Sequence, residues 1–199
     1  MENSNAHSFH SRKIAFELKP GDIVLVGGLS RSGKTTFSNN LSMELNSIGL
    51  SHSLIALDRW IKNLGERTFG VMGRYELSHI SRLIDEFQKD GKDPIKIELP
   101  EYDKLKQISL YKGESISIPK HHILIIEGTL ALTLAGNGIM NVKKYFTQIK
   151  ESERKRRVIN EYLQRGKNIN QAECIYHGRQ VDETPIIEAS LKNGIKINL

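Results

Sequence analysis

Short unbroken apolar runs alternate with helically spaced apolar positions along most of this chain. The runs Ile23–Val26, Ser53–Leu57 and Ile123–Ile126 have the character of strands buried on both faces of a parallel sheet. Between the first two, apolar residues recur every three or four positions and predict a helix over Lys34–Ile48. A strand, a helix and a second strand form a βαβ unit, so we expect the first two strands to run parallel.

The middle of the chain has a different pattern. We interpret Ile61–Gly73 as a loop and Tyr75–Gln88 as a helix that buries one apolar side. Pro94–Leu99 and Ser115–Ile118 alternate polar and apolar residues, as half-buried strands do. We expect these two segments to form a small β-hairpin insert at about 94–118.

The remaining segments complete the prediction. A fourth core strand is expected at Tyr145–Ile149 and a long basic helix at Glu151–Gln164, within a lid at about 151–168. The other predicted elements are a helix at Asn170–Val181, a short helix from Pro185, a last strand at Ile195–Leu199, a mobile tail at Met1–Ser11 and a short strand at Arg12–Leu18. We therefore expect a three-layer α/β fold, with residues 21–199 forming one domain and residues 1–20 lying outside it.

The amino-acid composition indicates the class of protein and its cellular location. The chain has 199 residues, of which 38% are hydrophobic and 26% charged, as is ordinary for a globular protein. Its one cysteine, Cys174, excludes an internal disulfide and favours a reducing, cytoplasmic location. No apolar run approaches the length of a membrane helix, and the first ten residues lack the apolar core of a signal peptide.

The chain is basic, with a net charge of +6 and a pI near 9.3. One interpretation of this positive charge is that the protein binds nucleic acid. The basic residues concentrate at Arg154–Arg157, however, without interleaved aromatic residues or a nucleic-acid-binding module. We favour a small anionic ligand and consider nucleic acid the weaker alternative.

The segment after the first strand carries the strongest chemical signal. Gly28, four further residues, Gly33, Lys34 and Thr35 match the G-x-x-x-x-G-K-T phosphate-binding loop, with an expected strand before it and a helix after it. Its residues are Gly28, Leu29, Ser30, Arg31, Ser32, Gly33, Lys34, Thr35 and Thr36. Glycines allow backbone N–H groups to converge on phosphates, Lys34 contacts the outer phosphates, and the Thr35 hydroxyl holds Mg²⁺. The alternative is a chance Gly/Ser-rich turn.

Two carboxylates follow the next core strands. Asp58 ends the second strand and Glu127 the third, at the edge of the sheet where ligands bind in open parallel sheets. One carboxylate can accept a proton from an attacking hydroxyl, and the other can orient Mg²⁺. Asp58 has a structural alternative as a helix N-cap. Glu127 follows four apolar residues, Ile123–Ile126, and, if buried, requires a metal or a cation as its partner.

The basic helix supplies candidate cations for phosphoryl transfer. Arg154 and Arg157 are three residues apart on one helix face, and Arg165 follows the helix. These arginines can cover the transferring phosphoryl group as a lid, or they can form a solvated basic face.

Together these segments resemble the uridine kinase and phosphoribulokinase branch of the P-loop kinases, over roughly residues 22–182. The matching segments are the phosphate-binding loop, Leu57–Trp60, Pro100–Asp103, Ile126–Leu132 and the basic helix with Arg165–Lys167. The family's Asp-His-Pro segment has no counterpart here, and Thr147–Ile149 stands where the family has an Asp after its fourth strand.

The resemblance implies a kinase that uses ATP or another NTP, with Mg²⁺, to phosphorylate a small hydroxyl compound. It implies that Asp58 is the base, that Glu127 serves the metal together with Thr35, and that Tyr102 lines the acceptor pocket. Arg154 and Arg157 would cover the transferring group, with Arg154 near the acceptor and Arg165 near the nucleotide. A nucleoside such as uridine or cytidine is the first choice of acceptor, and a sugar, a sugar phosphate or a vitamin precursor is the alternative.

Two other functions remain open. One is a nucleotide-binding regulator without an acceptor, and the other is a kinase that acts on nucleic-acid ends. The family is often oligomeric, so a homo-oligomer is also open.

Overall fold

The computed structural model of the protein describes residues 2–134, 140–192 and 194–199, and for residues 2–8 it describes the backbone alone. Its centre is a sheet of five parallel strands in the order β2-β7-β1-β8-β9. The strands are β1 (Ile23–Gly27), β2 (His52–Ala56), β7 (Ile123–Glu127), β8 (Val142–Gln148) and β9 (Ile195–Asn198). The predicted parallel α/β sheet is confirmed, and β7 lies between the first two strands.

Alternate side chains of β1 pack into two different apolar clusters, one on each face of the sheet. Ile23 and Leu25 belong to one apolar cluster and Val24 and Val26 to another, because successive side chains of a strand point to opposite faces. All five residues of β1 are buried, which explains its unbroken apolar sequence.

Helices cover both faces of the sheet. The helices are α1 (Glu2–Glu17), α2 (Lys34–Ser47), α3 (Ser78–Gln88), α4 (Glu151–Gln164), α5 (Ile169–Asp182) and α6 (Thr184–Ala189). The described residues contain no helix that is both long and apolar enough to cross a membrane.

An insert between α3 and β7 supports the site from one side. β3 (Ile95–Glu98) pairs antiparallel with β6 (Ser115–Ile118), in agreement with the predicted hairpin. Inside it, β4 (Glu101–Asp103) pairs with β5 (Ile108–Leu110), which the sequence pattern did not indicate.

The N-terminal prediction is wrong. Helix α1 replaces the short strand predicted at Arg12–Leu18 and covers most of the segment predicted as a mobile tail, of which Met1 lies outside the described residues. Ile14, Ala15 and Leu18 are buried against the α2 side of the sheet. Their spacing is that of one helix face. The segment Arg12–Leu18 is too short for this helical period to be distinguished from a strand pattern in the sequence alone.

The start of α3 also differs from the prediction. The helix begins at Ser78, whereas Tyr75 is extended and forms an isolated bridge with Ile61. Tyr75 thus ends the loop that borders the site. The single-domain boundary at residue 21 stays a prediction.

The packing of α1 can be tested with two variants of the same helix. Ile14 is 5% exposed and Phe16 is 66% exposed. We expect Ile14→Ala to lower the free energy of unfolding by about 2–5 kcal/mol, because it leaves a cavity against α2. Phe16→Ala should change it by no more than about 0.5 kcal/mol. Urea unfolding measures both, and equal effects would show that α1 does not pack as described.

Candidate active site

The carboxyl ends of β1, β2 and β7 meet at one edge of the sheet and open into a cleft of about 1630 Å³. This is the edge at which open parallel sheets bind ligands. The predicted residues that line the cleft are Ser30, Arg31, Gly33, Lys34, Thr35, Thr36, Asp58, Tyr102, Glu127, Arg157 and Arg165.

The phosphate-binding loop has the backbone of an anion cradle. Gly28, Arg31 and Gly33 all have positive φ, at 146°, 65° and 95°. Helix α2 begins directly after Gly33, so the positive end of its dipole faces the cleft. Gly28, Leu29 and Ser32 do not line the cleft and shape the loop from behind.

Thr147 on β8 supports the loop from below. Its hydroxyl lies 2.8 Å from the Ser32 hydroxyl and 3.3 Å from the carbonyl oxygen of Gly27. A Cβ at Gly28 would come within 2.6 Å of the Thr147 carbonyl oxygen, so only glycine fits there. These contacts of Thr147 hold the start of the loop in place.

Lys34 is buried beneath the loop. Its ammonium group donates hydrogen bonds to the carbonyl oxygens of Gly28, at 3.1 Å, and Leu29, at 2.9 Å. Burial lowers the pKa of Lys34, and the carboxylate of Glu127 opposes that shift. A phosphate bound in the loop would therefore lie near the positive charge of Lys34, beside the first two residues of the loop.

Glu127 and Thr35, the two residues predicted to hold Mg²⁺, are in contact with each other. The Thr35 hydroxyl donates to a carboxylate oxygen of Glu127 at 3.0 Å. Glu127 is only 6% exposed, and burial raises the pKa of its carboxyl group while Lys34 opposes the rise. A buried carboxylate beside a hydroxyl fits Mg²⁺, which takes one or two protein ligands and completes its shell with water and phosphate oxygens. The described residues contain no group of three His, Cys, Asp or Glu side chains that could form an all-protein metal site.

Asp58 lies in a single 3₁₀ turn, Leu57–Trp60, directly after β2. It is not an N-cap, since that position belongs to Ala56 and no side chain caps the turn. Its half-exposed carboxylate pairs with Lys104 at 3.2 Å, and its charge raises the pKa of Glu127. Asp58 and Glu127 therefore face the same cleft from neighbouring strands.

One side of the cleft is formed by the loop before α3 and by the hairpin insert. Tyr102 on β4 lines the cleft, and its hydroxyl accepts a hydrogen bond from Arg67. The phenol of Tyr75 is hydrogen-bonded to Thr129, and burial raises its pKa well above the ordinary value for tyrosine. Sequence reasoning assigned Tyr102 to this wall but missed Arg67.

The predicted arginines divide into two groups. Arg157 and Arg165 line the cleft and pair with Glu153 and Glu161 on the same helix. Arg154 requires a correction, because it is 2% exposed and does not line the cleft.

The contacts of Arg154 explain its position. Its guanidinium forms two hydrogen bonds of 2.7 Å with Glu151, reaches the carbonyl oxygen of Ser30 at 3.4 Å, and lies over the ring of Tyr176. Arg154 joins α4 to α5 and supports the phosphate-binding loop from behind.

Helix α5 provides a cation that the sequence analysis missed. Arg179 lines the cleft, contacts the Ser30 hydroxyl in the phosphate-binding loop, and donates to the Tyr162 hydroxyl at 2.6 Å. Its positive charge contributes to the lowered pKa of Lys34, so the two cations share one region. Within the sequence, Arg179 is one charged residue of a polar helix, and nothing in the pattern distinguishes it.

No protein-family model and no curated protein sequence matches this chain. Solved structures do match it. A proposed fructose transport system kinase from Silicibacter sp. TM1040 has a TM-score of 0.69 at 18% identity, covering 92% of this chain and 94% of that one. A possible uridine kinase from Bacillus stearothermophilus has a TM-score of 0.59 at 20% identity, covering 99% and 100%.

A third match is YFH7 from Saccharomyces cerevisiae, described as a proposed P-loop kinase with a circular permutation. Its TM-score is 0.72 at 12% identity, covering 95% of this chain and 99% of that one. The chain has the P-loop kinase fold. The resemblance to uridine kinase-like proteins is thereby confirmed at the level of the fold.

The crowding at Gly28 gives a test of the phosphate-binding loop. In Gly28→Ala the new methyl group meets Ser32 and Thr147, so the loop must shift at a cost of roughly 1–3 kcal/mol. We expect the affinity for an ATP analogue to fall about tenfold or more, measured by calorimetry.

Gly49→Ala is the matched control. Gly49 also has a positive φ of 75°, but nothing lies within 4 Å of a Cβ there. We expect it to lower stability by about 1 kcal/mol and to leave nucleotide affinity unchanged. Equal nucleotide affinities in the two variants would contradict the cradle.

Proposed function

We propose that this protein is a kinase that transfers the γ-phosphoryl group of ATP, or of another nucleoside triphosphate, to a hydroxyl group of a small metabolite. One observation carries the proposal. The phosphate-binding loop with Lys34, the Thr35–Glu127 pair and Asp58 converge on one cleft. Those groups supply phosphate binding, a metal site and a base, which are the parts that phosphoryl transfer requires.

In the proposed reaction the loop N–H groups and Lys34 hold the phosphate chain. Thr35 and Glu127 would hold Mg²⁺, which neutralises phosphate charge when it is bound. Asp58 accepts the proton of the acceptor hydroxyl as its oxygen attacks the γ-phosphorus. The bond from the γ-phosphorus to its bridging oxygen breaks, and ADP leaves with that oxygen.

Positively charged side chains around the cleft stabilise the negative charge of the transferring phosphoryl group in this proposal. Arg157, Arg165 and Arg179 line it and supply positive charge toward the transferring group. Arg154 acts indirectly in this proposal, because its contact with Ser30 supports the loop that holds the phosphates.

The acceptor is a small compound with a free hydroxyl. The family resemblance favours a nucleoside such as uridine or cytidine, and sugars, a sugar phosphate or a vitamin precursor are the alternatives. The similar structures are named for uridine and for fructose transport, which supports a small acceptor without choosing between these classes.

An acceptor screen tests the proposal. Labelled ATP and Mg²⁺ are incubated with the protein and with nucleosides, sugars, sugar phosphates or oligonucleotides, and Lys34→Ala is the control for contaminating kinases. We expect label to reach a small acceptor with the wild type alone. Slow ATP hydrolysis that no acceptor accelerates would favour a regulator. Transfer only to oligonucleotides, with steep salt dependence, would favour a nucleic-acid kinase.

The role of Asp58 gives a sharper prediction. Asp58→Asn keeps the shape of the side chain but removes its ability to take a proton. We expect kcat to fall by roughly 10²–10⁴ while the affinity for ATP is nearly unchanged.

Asp85→Asn makes the same chemical change on the exposed face of α3 and should have no effect. Steady-state kinetics and calorimetry measure both variants. Wild-type turnover in Asp58→Asn would remove Asp58 from the role of base.

A further inference from the structure

Building on the kinase function proposed above, we propose that the acceptor carries an anionic group, a phosphate ester or a carboxylate, that binds to Arg67. Arg67 lies in the loop before α3 and lines the cleft on the side formed by that loop and the hairpin. The inference names the charge class of the acceptor and a second binding point beyond its hydroxyl group. It therefore selects a charged metabolite, such as the sugar phosphate named among the alternatives, over the uncharged nucleoside that the family resemblance favours.

Within the part of the chain that the structure describes, the hydrogen-bond partners of Arg67 are neutral groups. Its Nε donates to the carbonyl oxygen of Lys62 at 3.0 Å, and its Nη1 donates to the side-chain oxygen of Gln107 at 3.1 Å. Its Nη2 donates to the hydroxyl of Tyr102. A guanidinium has five N–H donors, so two donors and the whole positive charge remain for another partner.

Apart from Glu127, which accepts a hydrogen bond from Thr35, the carboxylates among the described residues of the cleft are paired with cations other than Arg67. Asp58 pairs with Lys104 at 3.2 Å, and Arg74 pairs with both Asp182 and Glu183. Among the described residues, the lysines and arginines that line the cleft without an ion pair are Lys34, Arg67 and Lys167.

These three cations have different surroundings. Lys34 belongs to the phosphate-binding loop, and Lys167 is exposed beyond α4. Arg67 is half-buried and oriented by three hydrogen bonds, which is how proteins arrange a guanidinium for bidentate binding of a phosphate or carboxylate.

Arg67 lies on the same wall of the cleft as the proposed base. Tyr102 contacts Arg67, and Lys104, two residues further along the hairpin, contacts Asp58. Because Asp58 and Arg67 line the same cleft, an acceptor with its hydroxyl at Asp58 can place an anionic group at Arg67 in this proposal.

A purely structural role for Arg67 is not required by the packing. The loop and the hairpin are also joined by the Leu64 N–H to the Gln107 carbonyl oxygen, at 3.1 Å, and by the Ser109 N–H to the Asn63 side chain, at 2.7 Å. These bonds fasten the two segments without Arg67.

The test measures binding, so that it does not depend on turnover. The full chain is first saturated with Mg²⁺ and a non-hydrolysable ATP analogue, which occupies the phosphate-binding loop. Calorimetry then compares ribose with ribose 5-phosphate, glycerol with glycerol 3-phosphate, and glycerol with glycerate. We expect the charged member of at least one pair to bind about 10- to 100-fold more tightly, as a charge-assisted hydrogen bond predicts. The phosphate and carboxylate pairs identify which anion is preferred.

Variants connect that preference to Arg67. Arg67→Met should abolish it, and Arg67→Lys should restore only part of it, because lysine lacks the bidentate fork. Arg59→Met is the matched control. Arg59 also binds the hairpin, at the Pro100 carbonyl oxygen and Glu114, but it does not line the cleft, so its loss should leave the preference intact.

The outcomes separate this inference from the proposed function. If the ATP analogue does not bind, the kinase proposal fails. If the analogue binds and no charged probe binds more tightly than its neutral partner, the inference about the acceptor fails alone. A preference that persists in Arg67→Met also overturns it, because the anion would then bind elsewhere.

Discussion

The site depends on one buried electrostatic arrangement, in which Lys34 at the start of α2 and Glu127 at the end of β7 line the same cleft and influence each other through their charges. Burial lowers the pKa of the lysine and raises that of the carboxyl group, while each charge favours the other. Two charged groups in a core are costly unless their partners and hydrogen bonds are fixed. Here the loop carbonyls hold Lys34 and the Thr35 hydroxyl holds Glu127. A phosphate chain with a divalent ion matches this pair, because it brings negative charge to the lysine and a cation to the carboxylate.

The remaining elements position further groups around that pair. The turn after β2 places Asp58 in the same cleft, and the hairpin brings Tyr102 and Lys104 to it, with Lys104 in contact with Asp58. Helices α4 and α5 are joined through Arg154 and Tyr176 and carry cations to the opposite wall. The cleft is therefore rich in charge, and most of its cations are already paired with carboxylates. This distribution makes the exception at Arg67 informative about the acceptor.

Sequence reasoning was most reliable where local signals agree. Three signals follow one another here: the apolar run Ile23–Val26, the glycines of the loop, and the start of α2 at Lys34. The end of each segment therefore defines where the next one begins. The placement of Asp58 and Glu127 followed from a topological rule about strand ends rather than from their neighbours in sequence. Long-range contacts had no comparable signal. Arg154 and Arg179 both belong to polar helices, and only the packing of α4 on α5 decides that the first is buried and the second faces the cleft. Helix α1 was not predicted because its few apolar positions show no obvious helical period in the sequence. They are recognised as one buried face only from their packing with α2.

The most direct test of the central claim is a crystal structure of the protein with Mg²⁺ and a non-hydrolysable ATP analogue. The account predicts that the phosphates lie in the loop from Gly28 to Thr35, with Lys34 transferred from the loop carbonyls to the outer phosphates. It also predicts that the metal binds to Thr35 and reaches Glu127 directly or through a water molecule, with Asp58 facing the γ-phosphate. Nucleotide bound outside this loop, or a metal remote from both Thr35 and Glu127, would contradict the account.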